Sequence, residues 1–312
     1  MTRPSARETP RYEGRPLPRP DEEVQDQGLG FDLGTLMGRR RMLRAVGLGA
    51  VALGAAACGA GTATTVGATT SAGATGSVEI PDEIAGPYPG DGSDGPNVLS
   101  ESGIVRSDIR PSLGTASGVA EGVPMTLELS LTDIAGGGVP FTGAAVYVWH
   151  CDRGGGYSLY SEGLENENYL RGVQIADTAG LVRFTSIVPA CYSGRWPHIH
   201  FEVRPDRASI TDAGNAIATS QVALPQAMCE QVYAQPGYER SVTTLSRVGL
   251  DGDTVFGDDG GATQLATVTG DVSAGYTVSL AVNVDTTTTP SVGGPGGGAP
   301  PGGRPGGPPT RN

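Results

Sequence analysis

Short stretches of period-two alternation, cut by glycine turns, run from residue 125 to residue 284 and constrain this chain more than any other feature. Residues 125–131 alternate apolar and polar side chains, the mark of a half-buried strand. Residues 143–150 put Ala145, Tyr147 and Trp149 on one face and Ala144, Val146, Val148 and His150 on the other, and Gly154-Gly155-Gly156 then break the pattern. Residues 173–176, the Asp177-Thr178-Ala179-Gly180 turn and residues 181–187 read as a hairpin. Further strands are expected over 198–203, 219–224, 265–268 and 276–284. One short helix is expected over 225–234, where Pro225 suits a first helical turn. Many short strands and almost no helix predict an all-β fold, an antiparallel β-sandwich with long loops.

The flanks lack this pattern. Arg39-Arg40-Arg41-Met42-Leu43-Arg44 precedes an apolar run over 45–57 that is too short to span a bilayer comfortably. A basic stretch, a weakly apolar run and small residues at its end describe an export signal, and the paired arginines resemble a twin-arginine signal. Cys58 after Ala55-Ala56-Ala57 resembles a lipoprotein cleavage site, with alanine in place of the usual leucine, so lipid anchoring at Cys58 and plain secretion both stay open. The expected layout is an export segment over 1–58, a flexible tether over 59–79, one globular domain over 80–284 and a disordered Gly/Pro-rich tail over 285–312. Residues 80–88 would open the domain as an extended arm. Past residue 58 the chain carries 12 Arg and no Lys against 26 Asp and Glu, a balance that argues against nucleic acid or anionic lipid as a partner.

The chain has three histidines, and two of them, His198 and His200, flank Ile199 on an expected strand. Residues i and i+2 of a strand share a face, so both imidazoles can address one point, half of a coordination sphere. The plainer reading is a polar strand face. Two phenols are placed to complete the set: Tyr192, six residues before His198, and Tyr157, just past the three glycines. A phenol is ordinarily neutral, but a bound trivalent cation can deprotonate it. Two phenolates with two imidazoles suit ferric iron better than zinc, which usually recruits Cys or a carboxylate beside His. Each tyrosine taken alone is better explained as an amphipathic core or rim residue.

Together, Trp149-His150-Cys151-Asp152 followed by Gly156-Tyr157, the Thr178-Ala179-Gly180 turn, the 189–192 stretch, and Gly194-Arg195-Trp196-Pro197-His198-Ile199-His200-Phe201 resemble the intradiol ring-cleavage dioxygenases, and within them the exported actinobacterial branch. The resemblance covers about 80–284, and it implies a β-sandwich core. It also implies that Tyr157, Tyr192, His198 and His200 bind non-haem Fe(III), with Tyr192 and His198 axial. Catechol-type diols would be cleaved with dioxygen to cis,cis-muconates, Tyr192 accepting a substrate proton. Arg195 matches the family's charge-stabilising arginine and Gln221 its neighbouring glutamine, whose plain alternative is a surface strand amide. The substrate-recognition segments of the cytoplasmic enzymes are not matched and no helical dimerisation segment precedes the core, which leaves the particular catechol and the oligomeric state open.

His150 has no ligand role in that pattern and reads as structural. Cys151, Cys191 and Cys229 remain after the signal, an odd number that in an oxidising compartment permits one disulfide, Cys151–Cys191 or Cys191–Cys229, and leaves one thiol. Two other functions compete. One is a non-enzymatic transthyretin-like binding module on the cell surface, and the other a zinc hydrolase using His198, His200 and a carboxylate such as Asp152.

Overall fold

The computed structural model describes residues 78–93 and 95–288, with a short pair of strands near the start, β1 (Arg11–Tyr12) and β2 (Arg15–Pro16). The rest of the expected export segment, Cys58, the tether up to Ser77 and the tail past residue 288 lie outside the described residues.

In β3 (Pro124–Asp133) the alternation read from the sequence becomes burial: Met125, Leu127, Leu129 and Leu131 are buried, while Thr126, Glu128 and Ser130 are not. Burying such a side chain contributes about 1.5–3 kcal/mol, which is why the period survives as structure. After β4 (Val139–Pro140) come β5 (Ala145–Trp149), β6 (Arg171–Ile175), β7 (Leu181–Ile187), β8 (His198–Arg204), β9 (Ala218–Ala223), β10 (Thr267–Asp271) and β11 (Gly275–Val284). They form two main sheets. In one, the order is β10-β11-β3, with β7 and β4 both on the other side of β3; in the other it is β6-β5-β8-β9. Leu127, Phe184, Val278 and Val282 of the first sheet and Val146, Val148, Ile199, Phe201 and Val222 of the second belong to one buried cluster.

Three expectations are corrected. The sheets are not wholly antiparallel, because β11 runs parallel to β3 from Tyr276↔Met125 to Val284↔Asp133. Parallel neighbours need a long connection, and here the entire second sheet lies between them in the chain. Nor do 173–176 and 181–187 make a hairpin. The turn forms, with Gly180 N–H donating to the Asp177 carbonyl at 2.9 Å, but β6 pairs with β5 and β7 with β3, so the turn is a corner between sheets. Period two reports which face a side chain takes, and says nothing about which strand lies beside it.

The third correction is a second helix. α1 (Gln226–Tyr233) fills the expected span behind Pro225, and α2 (Glu239–Leu245) follows it. The Ser, Val and Thr content of α2 is poor for helix. Tertiary contacts hold it instead: Ser241 Oγ accepts from Cys191 N–H at 3.0 Å, and just before the helix Tyr238 Oη donates to the Val188 carbonyl at 2.7 Å. β10 also lies slightly later than the expected 265–268, Leu265 making only an isolated bridge to Ala223.

At the corner, Gly180 has φ +74°, and a side chain there would run into the Leu131 carbonyl. Gly180→Ala is therefore expected to cost at least about 1–2 kcal/mol for the left-handed backbone alone. Urea unfolding measures this, and an unchanged midpoint would contradict the account of the corner.

The face of the second sheet away from the shared cluster is covered too. Ala145, Tyr147, Trp149 and Val173 pack there with Val98, Leu99 and Ile104 of the long segment that precedes β3. That segment enters through the arm, where Ile80 N–H donates to the Asn283 carbonyl and Glu83 N–H to the Thr219 carbonyl.

Candidate metal centre

β8 is an interior strand, between β5 and β9. Its odd-numbered residues Ile199, Phe201 and Val203 enter the cluster shared by the sheets, which sends His198 and His200 to the covered outer face. Their Nε2 atoms lie 3.1 Å apart, with the rings nearly perpendicular at 80°. Trp149 sits directly across from His200 in β5 and stacks on its ring, centroids 4.9 Å apart and 6° from parallel. Tyr147 stacks behind Trp149 at 5.0 Å, so an aromatic column holds His200. His198 is held by its Nδ1, 2.6 Å from the Trp196 carbonyl. A carbonyl only accepts, so Nδ1 carries the proton and Nε2 presents a lone pair. His200 Nδ1 is buried without a hydrogen-bond partner.

The phenols arrive from two loops. Asp152 Oδ1 accepts from the N–H groups of Gly154 and Gly156 at 2.8 and 3.0 Å, shaping the glycine turn that delivers Tyr157. Tyr192 comes from the connection between β7 and β8, where Arg195 N–H turns back to its carbonyl. Tyr192 Oη is 3.1 Å from His198 Nε2 and 3.5 Å from Tyr157 Oη. The four donor atoms thus form an unbroken run of short separations. Donors bonded to one ion at about 2.0–2.1 Å, at angles between right and tetrahedral, stand about 2.8–3.4 Å apart. The observed spacings run from 3.1 to 3.5 Å, at or just beyond such polyhedron edges, so these four side chains could hold a metal ion. Tyr192 Oη stands beside His198 Nε2, not opposite it as the expected axial pair would.

Burial drives all four groups neutral. It pushes the Tyr157 phenol well above its usual value, with the neighbouring Tyr192 adding to the effect, and it raises Tyr192 despite the opposing charge of Arg195. It pulls His198 down to about 3 and His200 well below its usual value, with Arg195 acting in the same direction on both and His198 also on His200. The imidazoles therefore keep their lone pairs. The phenols lose their protons only to a cation strong enough to outweigh desolvation.

Arg195 is 8% exposed and Gln221 is fully buried, so Gln221 is not a surface amide. Gln221 faces His200 in the β8–β9 register. Its Oε1 accepts from Arg195 Nη2 at 2.7 Å, and its Nε2 donates to the Ile84 carbonyl of the arm at 3.1 Å. The arm crosses the centre. A Cβ on Gly86, whose φ is +77°, would sit 3.2 Å from His200 Cε1, and the Tyr88 ring lies 5.0 Å from that of Tyr157.

Sequence reasoning missed Trp149 as the wall behind His200, although the residue was already placed with Tyr147 on one face of its strand. It also missed Asp253, which pairs with Arg195 across 58 residues and has no local signal. Among the described residues there is no disulfide either: Cys151, Cys191 and Cys229 are buried free thiols. Cys151 Sγ turns to the Ala190 carbonyl and Cys191 Sγ to the Arg195 carbonyl, while burial raises Cys191 and Cys229 to about 12. Asp152 caps its turn and accepts from Tyr169 Oη, and among the described residues no group of three His, Cys, Asp or Glu side chains is placed to hold a metal ion, so Asp152 does not complete a zinc-hydrolase set with His198 and His200. His150 Nδ1 donates to the Cys151 carbonyl at 2.8 Å, so its Nε2 accepts from Ser186 Oγ at 2.7 Å, a closed pair of bonds.

Residues 95–204 match the family described as Dioxygenase, a stretch that includes Tyr157, Tyr192, Arg195, His198 and His200 and stops short of Gln221 and Asp253. The chain is 39% identical over 72 residues to a catechol 1,2-dioxygenase from Pseudomonas sp. (strain EST1001), 23% of each chain. It is 40% identical over 55 residues to a chlorocatechol 1,2-dioxygenase from Rhodococcus opacus, 18% of this chain and 21% of that one. The chain thus spans less than a quarter of the length of these curated relatives. Among solved structures it is similar to an intradiol ring-cleavage dioxygenase from Tetranychus urticae, with a TM-score of 0.53 at 22% identity over 69% of this chain and 98% of that one, a likeness of fold.

Proposed function

We propose that this chain is an intradiol ring-cleavage dioxygenase that opens catechol-type rings with dioxygen to cis,cis-muconate products at a non-haem ferric centre, a reading supported by the match of residues 95–204 to a dioxygenase family and by the catechol and chlorocatechol 1,2-dioxygenases it resembles. Tyr157, Tyr192, His198 and His200 would hold the iron. The observation that carries the reading is the run of 3.1–3.5 Å separations from Tyr157 Oη through Tyr192 Oη and His198 Nε2 to His200 Nε2. Bound there, ferric iron would supply Lewis acidity, drawing electron density from a catecholate and opening its ring carbons to dioxygen. The two facing sheets are read as the β-sandwich of that family.

The chain's own residues divide the remaining tasks. Tyr192 is only half-buried, whereas Tyr157 is almost fully enclosed, so Tyr192 is the phenol within reach of an incoming diol. Once its own proton had been displaced by a bound cation, Oη would be placed to take one from a substrate hydroxyl. Arg195 brings a fixed positive charge beside both phenols, where negative charge builds on the ring. Trp149 keeps the His200 ring in one plane, and the arm at Ile84 and Gly86 closes the site over His200 and Gln221, limiting water. A non-enzymatic module on the same fold has no use for four convergent donors, and no observation favours it.

Export, expected from Arg39 to Ala57, would place this chemistry outside the cytoplasm, with or without a lipid on Cys58. No helix among the described residues is long and apolar enough to cross a membrane.

The test is purification followed by metal analysis, visible spectroscopy and oxygen uptake over a panel of catechols, with the ring-opened products identified. Tyrosinate coordination to ferric iron should colour the protein red-brown. Stripping the iron should remove colour and turnover together, and adding it back should restore both. A colourless protein that takes up no oxygen with any catechol would sink the proposal.

A further inference from the structure

Asp253 follows the turn at Leu250–Gly252, and its carboxylate is completely buried. Its Oδ2 accepts from Arg195 Nε at 3.0 Å and from Trp196 N–H at 2.6 Å. Its Oδ1 accepts from Arg195 Nη2 at 3.3 Å, Val255 N–H at 2.8 Å and Phe256 N–H at 3.2 Å. The backbone donors make the carboxylate a rigid socket, and the guanidinium meets it edge-on through two nitrogens, a geometry that fixes orientation as well as position. Gln221 Oε1 takes a further hydrogen of Nη2 at 2.7 Å. Nε and Nη2 are thereby committed to the protein, and Nη1 is the one guanidinium nitrogen with no protein acceptor among the described residues.

We propose that Asp253 is the positioning residue for Arg195: it grips the Nε–Nη2 edge of the guanidinium and so leaves Nη1 as the edge offered to the reacting ring. The proposal rests on the ring-cleavage reading above. It divides the fork in two, one side for holding and the other for charge stabilisation. Lysine cannot make that division, because the three donors of its ammonium share one nitrogen and offer no planar edge for a carboxylate to grip while a second nitrogen faces the substrate. A buried arginine without its carboxylate would be both costly and free to turn. The competing account is that Asp253 merely caps its own loop through Val255 and Phe256.

The experiment compares wild type, Asp253→Asn, Arg195→Met and the double variant, all iron-loaded. Asp253→Asn is expected to lower kcat roughly 100-fold, the scale of loss from a small misplacement of a catalytic group. KM, iron content and anaerobic binding of 4-nitrocatechol, followed by its absorbance, are expected to stay within about threefold, since the interaction is lost chiefly in the transition state. If Asp253 acts through Arg195, the double variant matches Arg195→Met within about twofold, the signature of coupled rather than independent sites. A loop-capping role gives losses that multiply, and that result overturns the proposal, as does wild-type kcat in Asp253→Asn. Should Asp253→Asn fail to fold, Arg195→Lys decides: loss of roughly 100-fold in kcat at unchanged iron content supports the divided fork, and near-wild-type turnover overturns it. A wild-type protein without iron or turnover would instead remove the ring-cleavage reading and this proposal with it, whereas active wild type beside active Asp253→Asn removes only the role of Asp253.

Discussion

Tyr192→Phe should leave the protein folded and nearly silent as a dioxygenase. The change removes one oxygen from a half-buried ring whose side-chain hydrogen-bond contacts among the described residues are Tyr157 Oη at 3.5 Å and His198 Nε2 at 3.1 Å. Neither bond supports the core, so the melting temperature should move little. The oxygen, however, sits in the middle of the four-donor run. Losing an outer partner of a metal site typically costs about 10–100-fold in affinity or activity, so if Tyr192 binds iron and takes a substrate proton as proposed, its loss should cost more than about 100-fold in turnover. The red-brown absorption should weaken in step. Tyr233→Phe is the control, since that phenol donates to the Pro189 carbonyl and belongs to the shared core rather than to the donor run. Visible spectra and oxygen uptake on the two variants check the prediction. Full turnover in Tyr192→Phe would take that residue out of the chemistry.

Arg171→Met should produce the largest loss of stability of any single substitution considered. The side chain is 1% exposed and has no carboxylate among its hydrogen-bond acceptors. Its guanidinium donates to the carbonyls of Tyr88, Pro89 and Ser158, to Ser158 Oγ and to Tyr147 Oη, at 2.8–3.1 Å. It therefore ties the arm to the loop that carries Tyr157 and to the column behind His200. Removing the donor strands buried acceptors at about 1–3 kcal/mol each, although the Pro89 carbonyl keeps its bond from Tyr147 Oη. A total near 4 kcal/mol is expected, equivalent to a fall in Tm of about 10 °C for a domain of this size. Arg183, paired with Glu128 at 2.7 Å but 60% exposed, should be replaceable without measurable effect. Thermal and denaturant unfolding separate the two. If Arg171→Met unfolds like the wild type, the arm is held by something other than these bonds.

The sites of these two predictions differ in how they could be found. Tyr192, Tyr157, His198 and His200 stand out as residue types, and the histidine pair needs only the two-residue repeat of a strand to share a face. Arg171 carries no such mark. It looks like any arginine in a strand, and it matters because Tyr88 and Pro89, more than 80 residues away in sequence, bring their carbonyls to it.

The same division runs through the whole fold. The alternation in β3, the two faces of β5 and the outward turn of His198 and His200 follow from local periodicity, because side-chain direction in a strand is a property of neighbouring residues alone. Partnership is not local. The parallel pairing of β11 with β3, the separation of β6 from β7 across an ordinary turn, the helix at Glu239–Leu245, the three unpaired thiols and the grip of Asp253 on Arg195 each depend on which surfaces remain to be buried once the sheets have formed. A chain can write down where each side chain points over a few residues. What it points at is chosen by packing among segments far apart in sequence, where burial rewards the whole arrangement and no single stretch records the outcome.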